Sequence, residues 1–446
     1  MSDAHDTDGY SGEGVNPEIT NAQIKARWQL PQDADPYAMP LRELDPGNGD
    51  WFEQNKELDV LKRLRDEAPV HHVQESQFGP YWSLTRFEDV KYVDTHQQLF
   101  SSDIMNGGIR LGGRPLNEPP PDLFHLPMFI MQDQPVHDEQ RKVVAPMFTP
   151  ARLAALGELI RQRAGEILDA LPRGETFNWV REVSVELTGR MLATLFDVPQ
   201  EDRHLLIHWS DTVERIGDPD YFETPAEGFA EIWKCFEYFN DVWQTRQKMA
   251  EPGADLISFL AHGESTKNMA PNEFLGNVLL LIVGGNDTTR NSMSGGVLAL
   301  NQYPKEYDKL RADQSLIPNM VSEIIRWQSP VAHMCRTALQ DTEIAGHQIK
   351  KWDKLAIWYL SGNRDEDKWS DPERLIIDRP AVRQHLSFGF GIHRCLGNRL
   401  AELQLRILWE EIMRRFEHVE LVGEPAYLNS SFIRGITDLP VRVHDR

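Results

Sequence analysis

The sequence predicts one large domain, mainly α-helical, with small β-sheets gathered at one side. Three observations predict it. Helical periodicity runs from about Thr149 to Asp313, interrupted only at Pro172, Asp218-Pro219 and Glu251-Pro252-Gly253. Short strand patterns flank that block, at Val70 to Thr85 before it and at Thr342 to Lys350 after it. The chain has 446 residues, 40 % of them hydrophobic, which is enough to bury a sizeable core.

Residues 1–30 are acidic and rich in Gly, Asp and Asn, and predict a flexible segment ahead of a folded domain over 31–446. From Trp51 to Arg65, the spacing of Leu58, Leu61 and Leu64 predicts an amphipathic helix. Val70-His71-His72-Val73 and Tyr81-Trp82-Ser83-Leu84-Thr85 read as two strands around Gly79-Pro80. The Gly- and Pro-rich stretch from Asn106 to Pro121 is too long to be a simple connection, and loops of that length are usually functional or disordered. Short β patterns return at Thr342 to Lys350 and near the C-terminus, and a long helical pattern fills Asn398 to Phe416. No internal repeat is visible.

Charge and cysteine usage narrow the function. The net charge of −22 argues against nucleic acid and anionic membrane surfaces as partners. Cys235, Cys335 and Cys395 lie far apart, form no CxxC pair and leave one over, so a disulfide framework is not expected and a reducing compartment is. The chain opens with polar and acidic residues, and its longest apolar run, Val278 to Val283, is too short to span a bilayer. A cytoplasmic protein without a membrane anchor is the expectation.

The chemistry concentrates in Phe388-Gly389-Phe390-Gly391-Ile392-His393-Arg394-Cys395-Leu396-Gly397. One cysteine sits in a glycine-rich turn and opens a helix. Glycines let the backbone turn tightly and approach a flat ligand closely. Amides at the helix start favour the anionic sulfur, and a thiolate ligand pushes electron density onto a haem iron. A second unusual stretch is Leu279-Leu280-Leu281-Ile282-Val283-Gly284-Gly285-Asn286-Asp287-Thr288-Thr289. Adjacent glycines inside a helix cost about 1 kcal/mol each relative to Ala, and a buried acid adds a desolvation cost. Such local penalties suggest that something needs room there. Glu323-Ile324-Ile325-Arg326 sets a carboxylate and a guanidinium on one helix face.

The pattern Phe388-x-x-Gly391-x-x-x-Cys395-x-Gly397 resembles the haem-binding loop of the cytochrome P450 superfamily. The other landmarks follow in the family's order, so the resemblance runs from about Pro36 to the end. It implies the cytochrome P450 fold, with haem b between the oxygen-activating helix and the Cys-loop helix. Cys395 would be the thiolate ligand of the iron, with Phe388, Gly391 and Gly397 shaping the loop. The propionates would meet His137, Arg141, Arg336 and His393. By the same resemblance, Asp287 relays protons and Thr288 hydrogen-bonds oxygen during its activation, while the Glu323/Arg326 pair ties to Arg374 as a structural element. The stretch Asn106 to Pro121 corresponds to the loop over the substrate.

Residues 281–296 and 397–411 resemble the bacterial alkane terminal-hydroxylase branch of the family. That likeness implies a monooxygenase acting on the end carbon of medium-chain alkanes or fatty acids. Its pocket would be formed by Leu280, Val283, Gly284, Val331, Ala332, Met334, Phe432 and Ile433, all suited to an apolar chain. Two alternatives stay open: a terpene or other bulky apolar substrate, or a non-catalytic haem-based sensor or carrier. No GxGxxG or Walker loop follows a strand, so electrons must come from outside the chain. The expected donor is a [2Fe–2S] ferredoxin served by a separate NAD(P)H-dependent reductase, docking on Arg394, Arg399 and Arg406 with Lys142 and Arg141 nearby.

Overall fold

The computed structural model describes residues 20–117 and 125–446. The first nineteen residues of the expected flexible segment, and Glu118 to Pro121 of the expected substrate loop, lie outside the described residues.

Helices dominate. The N-terminal ones are α1 (Asn21–Trp28), α2 (Asp50–Glu53), α3 (Glu57–Glu67) and α4 (Phe87–Thr95). Beyond the loop come α5 (Val136–Val144), α6 (Pro150–Ala170), α7 (Glu186–Phe196), α8 (Arg203–Arg215), α9 (Pro225–Gln247) and α10 (Leu256–His262). The long α11 (Pro271–Gln302) is followed by α12 (Pro304–Ala312), α13 (Ile317–Gln328), the short α14 (Tyr359–Gly362) and α15 (Asn398–Arg415). Proline opens α6, α9, α11 and α12 at the first helical position, where its missing N–H has no partner to lose. α11 is the spine. It packs against α7, α8, α9, α13 and α15, and Val278, Ile282 and Leu298 belong to the largest apolar cluster.

The strands are β1 (Val70–Val73), β2 (Tyr81–Leu84), β3 (Phe100–Ser101), β4 (Phe177–Asn178), β5 (Met334–Ala338), β6 (Thr342–Ile344), β7 (His347–Ile349) and β8 (Lys354–Ile357), then β9 (Phe416–Leu421), β10 (Ala426–Tyr427), β11 (Ile436–Asp438) and β12 (Pro440–Asp445). The largest sheet has the order β1-β2-β8-β5-β3. The two expected N-terminal strands pair antiparallel, Val70 opposite Leu84 and Val73 opposite Tyr81. β6 and β7 form a hairpin whose turn residues, Ala345 and Gly346, have φ of 48° and 84°, the left-handed pair that a two-residue turn needs.

Two N-terminal expectations change. Asn21–Trp28, inside the span expected to be flexible, is helical: the Thr20 hydroxyl and the Gln23 side chain form a reciprocal cap. The Asn21 side chain then donates to the carbonyls of Ile216 and Phe222, both at 2.9 Å, tying this helix to the α8–α9 connection. The helix expected over 51–65 is broken, because Asn55 takes φ = 55° and separates α2 from α3. Among the described residues no single helix is long and apolar enough to cross a membrane.

Candidate active site

The cysteine loop turns twice through left-handed glycines, Gly389 and Gly391, both at φ = 65°. Its fold is closed by the Cys395 N–H donating to the Phe388 carbonyl at 2.8 Å. Cys395 is exposed, and the surface it shows is the wall of an internal cavity of about 480 Å³. Burial among protein atoms pushes the thiol up; the N–H groups of Gly397 and Asn398 and the guanidiniums of Arg141 and Arg394 pull it back towards the thiolate.

Facing the loop across the cavity is α11, through Leu280, Val283, Gly284, Thr288 and Thr289. A Cβ built on Gly284 would meet nothing within 4 Å, so this glycine borders free space. The Thr288 hydroxyl donates to the Gly284 carbonyl at 2.9 Å, one turn back. Thr289, which the motif comparison left without a role, lines the same cavity.

Asp287 points elsewhere. It is fully buried, does not line the cavity, and pairs with Arg290 at 2.5 Å while accepting from the Ser210 hydroxyl of α8 at 2.9 Å. Arg290 also reaches Asp211 at 2.7 Å, so the acid is joined to a partly exposed charge on α8. Burial raises the Asp287 carboxyl above the usual carboxylate range, Arg290 pulls it down, and Glu214 and Asp211 push it up again.

At one side of the cavity four expected polar residues converge: His137, Arg141, Arg336 and His393. The two imidazoles lie edge to face with centroids 4.3 Å apart. His137 Nδ1 meets Asp138 at 2.8 Å, whereas His137 Nε2 and both His393 nitrogens are buried without a partner among the described residues. Burial, with Arg336, His137 and Arg141 close by, holds His393 down at about 2. A flat group with two carboxylates answers this shortage of acceptors, and the slot between α11 and the cysteine loop admits it. The residues present fit haem.

Other expectations are corrected. Arg379, not Arg374, completes the Glu323/Arg326 pair: its Nε donates to Glu323 at 3.0 Å, while Arg374 gives only its carbonyl to Arg326 at 3.0 Å. Gly391 does not line the cavity. A Cβ there would lie 2.3 Å from the Asp94 carbonyl oxygen, so the glycine serves the approach of loop to α4. Ala332 is fully buried outside the cavity, its N–H bonded to the Phe432 carbonyl at 2.9 Å. Leu280, Val283, Gly284, Val331, Met334, Phe432 and Ile433 do line it, as do Phe388, Gly397 and Cys395. Arg141 lines the interior and donates to the Arg394 carbonyl, leaving Lys142, Arg394, Arg399 and Arg406 as the exposed basic face.

Sequence reasoning missed Asp94. This buried acid accepts from Arg336 at 2.7 Å, from Tyr359 at 3.2 Å and from the Phe390 N–H at 2.6 Å, and so fixes both a cofactor-side cation and the cysteine loop. Nothing marks it locally; it ends an ordinary amphipathic helix. Arg110, in the glycine-rich stretch, was missed as well. It lines the far end of the cavity, pairs with Glu214 at 2.8 Å and stacks on Phe432 with its guanidinium 4.2 Å from the ring centroid.

The family model described as Cytochrome P450 matches residues 219–436. Linalool 8-monooxygenase of Pseudomonas putida is 36 % identical over 89 % of this chain and 98 % of its own length. The methyl-branched lipid omega-hydroxylase of Mycobacterium tuberculosis strain H37Rv is 31 % identical over 91 % of this chain and 96 % of its own. Among solved structures, Cytochrome P450-153 from Novosphingobium aromaticivorans superposes with a TM-score of 0.84 at 43 % identity, covering 90 % of this chain and 99 % of that one. CYP153D17 from Sphingomonas sp. PAMC 26605 gives 0.83 at 45 % identity, covering 90 % and 98 %. With a cavity that pairs a helix-start cysteine with histidine nitrogens left without partners among the described residues, across from a glycine-interrupted helix, and with relatives matched along nearly their whole length, the chain belongs to the cytochrome P450 family, whose cofactor is haem b on a cysteine thiolate.

Proposed function

We propose that this monooxygenase hydroxylates the terminal carbon of medium-length linear chains. Haem, bound through Cys395, supplies the oxygen-activating iron centre. The chain's own residues do the rest. His137, Arg141, Arg336 and His393 hold the cofactor's carboxylates, with Asp94 orienting Arg336. Thr288 offers a hydroxyl inside the cavity, and Asp287, linked through Arg290 to Asp211, supplies protons to that side of α11 from the protein exterior.

The observation that carries the reading is the wall of the cavity. Leu280, Val283, Val331, Met334 and Ile433 give it apolar faces, and the open space beside Gly284 leaves room for a chain end. Terminal C–H bonds are stronger than internal ones, so terminal oxidation must be imposed by geometry, with the channel presenting only the methyl group. Relatives named as an omega-hydroxylase and as steroid C26-monooxygenases support oxidation at chain ends. A terpenoid substrate is the second reading, favoured by the relative named linalool 8-monooxygenase. Electrons would come from a [2Fe–2S] ferredoxin docking on Lys142, Arg394, Arg399 and Arg406, with turnover falling as salt rises.

The test is product analysis after reconstitution with a ferredoxin and its reductase, using alkanes, fatty acids and terpene alcohols of graded size. Terminal alcohols from linear chains are expected. Mainly internal alcohols would overturn the terminal assignment, turnover confined to terpenoids would favour the second reading, and an absence of any product would favour a carrier.

A further inference from the structure

A second cavity, of about 250 Å³, adjoins the first, and the two share Arg110, Val213, Ile216 and Phe432. Its other walls come from α1, the segment leading into α2, the α8–α9 connection, the turn before β5 and the C-terminal loop, and carry Trp28, His333 and Ser431 together with the charged Lys25, Arg215 and Asp218. The shared quartet is thus a doorway, with the Arg110 guanidinium lying on the Phe432 ring.

Two features set the chemistry at the doorway, inward of the charged residues of the outer wall. Arg110 is already committed: its guanidinium pairs at 2.8 Å with Glu214, a side chain only 2 % exposed. An incoming carboxylate would have to displace Glu214, stranding a buried charge close enough to Asp287 for the two to repel. His333 is 1 % exposed, and its Nδ1–H donates to the Ser431 carbonyl at 2.8 Å. That bond fixes the tautomer, so Nε2, buried and without a partner among the described residues, can only accept. Burial, with Arg110 and Lys354 close by, holds this imidazole down at about 3, hence neutral. An acceptor next to a neutralised cation welcomes an O–H and rejects an anion.

We propose that the outer chamber is the second half of the substrate site, and that the Arg110–Glu214 pair together with His333 makes it select an uncharged, hydrogen-bond-donating chain end over a carboxylate. The inference rests on the linear-chain reading above and narrows it: the polar end of a preferred substrate is an alcohol or similar neutral group, and fatty acids bind less well than alcohols of equal length.

The experiment measures dissociation constants of the haem-loaded protein by ligand-induced Soret shift, using dodecane, 1-dodecanol and dodecanoate. The wild type should bind the alcohol at least tenfold more tightly than the acid. Glu214→Gln frees Arg110 and should cut that ratio to below threefold, mostly by tightening the acid. Arg110→Gln should widen it, since Glu214 then faces the doorway unpaired. His333→Phe should weaken the alcohol severalfold while leaving dodecane unchanged. Equal binding of alcohol and acid in the wild type, or a ratio indifferent to Glu214→Gln, overturns the inference while leaving the linear-chain reading standing. No Soret shift with any of the three overturns both.

Discussion

Two glycines of α11 should respond differently to the same substitution. At Gly284 an added Cβ meets nothing within 4 Å, whereas at Gly276 it would lie 2.1 Å from the Pro127 carbonyl oxygen, a backbone atom that cannot swing aside. Replacing Gly by Ala in a helix interior gains about 1 kcal/mol from backbone entropy. Gly284→Ala keeps that gain. Gly276→Ala sets it against an overpacking cost of about 1–3 kcal/mol and should come out neutral to destabilised. For a chain of 446 residues the unfolding entropy is roughly 0.9 kcal/mol/K, so 1 kcal/mol is about 1 °C in melting temperature. The melting shift is therefore small, and binding is the sharper readout. The methyl at position 284 takes space that the proposed terminal carbon would use. Shortening the accommodated chain by one methylene costs a ligand that just fills the cavity about 0.8 kcal/mol, roughly fourfold in Kd. Titration of a graded alkane series against both variants checks this: Gly284→Ala should move the length optimum down by about one carbon, and Gly276→Ala should not. A Gly284→Ala protein that melts below wild type, or keeps its length optimum, would refute the assignment of this face to the substrate.

Cys395→Ser should abolish the strongly red-shifted Soret band of the reduced, CO-bound protein together with turnover; retention of both would remove Cys395 as the ligand. Glu323→Gln leaves the buried guanidiniums of Arg326 and Arg379 facing a neutral amide, and should destabilise the fold by about 3–5 kcal/mol, read as early haem loss in urea titration. Thr288→Ala should raise peroxide formed per oxygen consumed, and unchanged coupling would count against its role. Because the Asp287 carboxyl is raised, it holds its proton to higher pH and loses it as pH rises, so turnover should fall on the alkaline side; Asp287→Asn should be slow and lack that limb. Lys354 is buried, donates to the Gly107 and Gly108 carbonyls, and burial pushes it down to about 8. Between there and the unfolded value near 10.4 the unfolded state binds more protons, so stability should rise with pH across that window. Lys354→Met should flatten the rise, as denaturant midpoints at a series of pH values would record.

What was legible in the sequence was whatever depends on near neighbours. Gly389 and Gly391 signal the turns they make, since only glycine takes φ = 65° without strain. The prolines, the period of α15 and the short strand runs of β1 and β2 around Gly79-Pro80 are likewise written in adjacent residues. The cavity wall followed where helical spacing carries over: Leu280, Gly284 and Thr288 recur every fourth residue and share a face, whereas Asp287 turns to Ser210 and Arg290 although Val283, one turn before it, lines the cavity. Tertiary structure alone decided the rest. Arg374 and Arg379 stand five residues apart in an irregular segment, and only the packing against α13 determines which guanidinium reaches Glu323. Asp94 and Arg336 are separated by 242 positions, and Arg110 and Glu214 by 104. A charge pair of that separation leaves no trace in local propensity or periodicity, because its energy exists only after the chain has brought the partners together and removed the water between them.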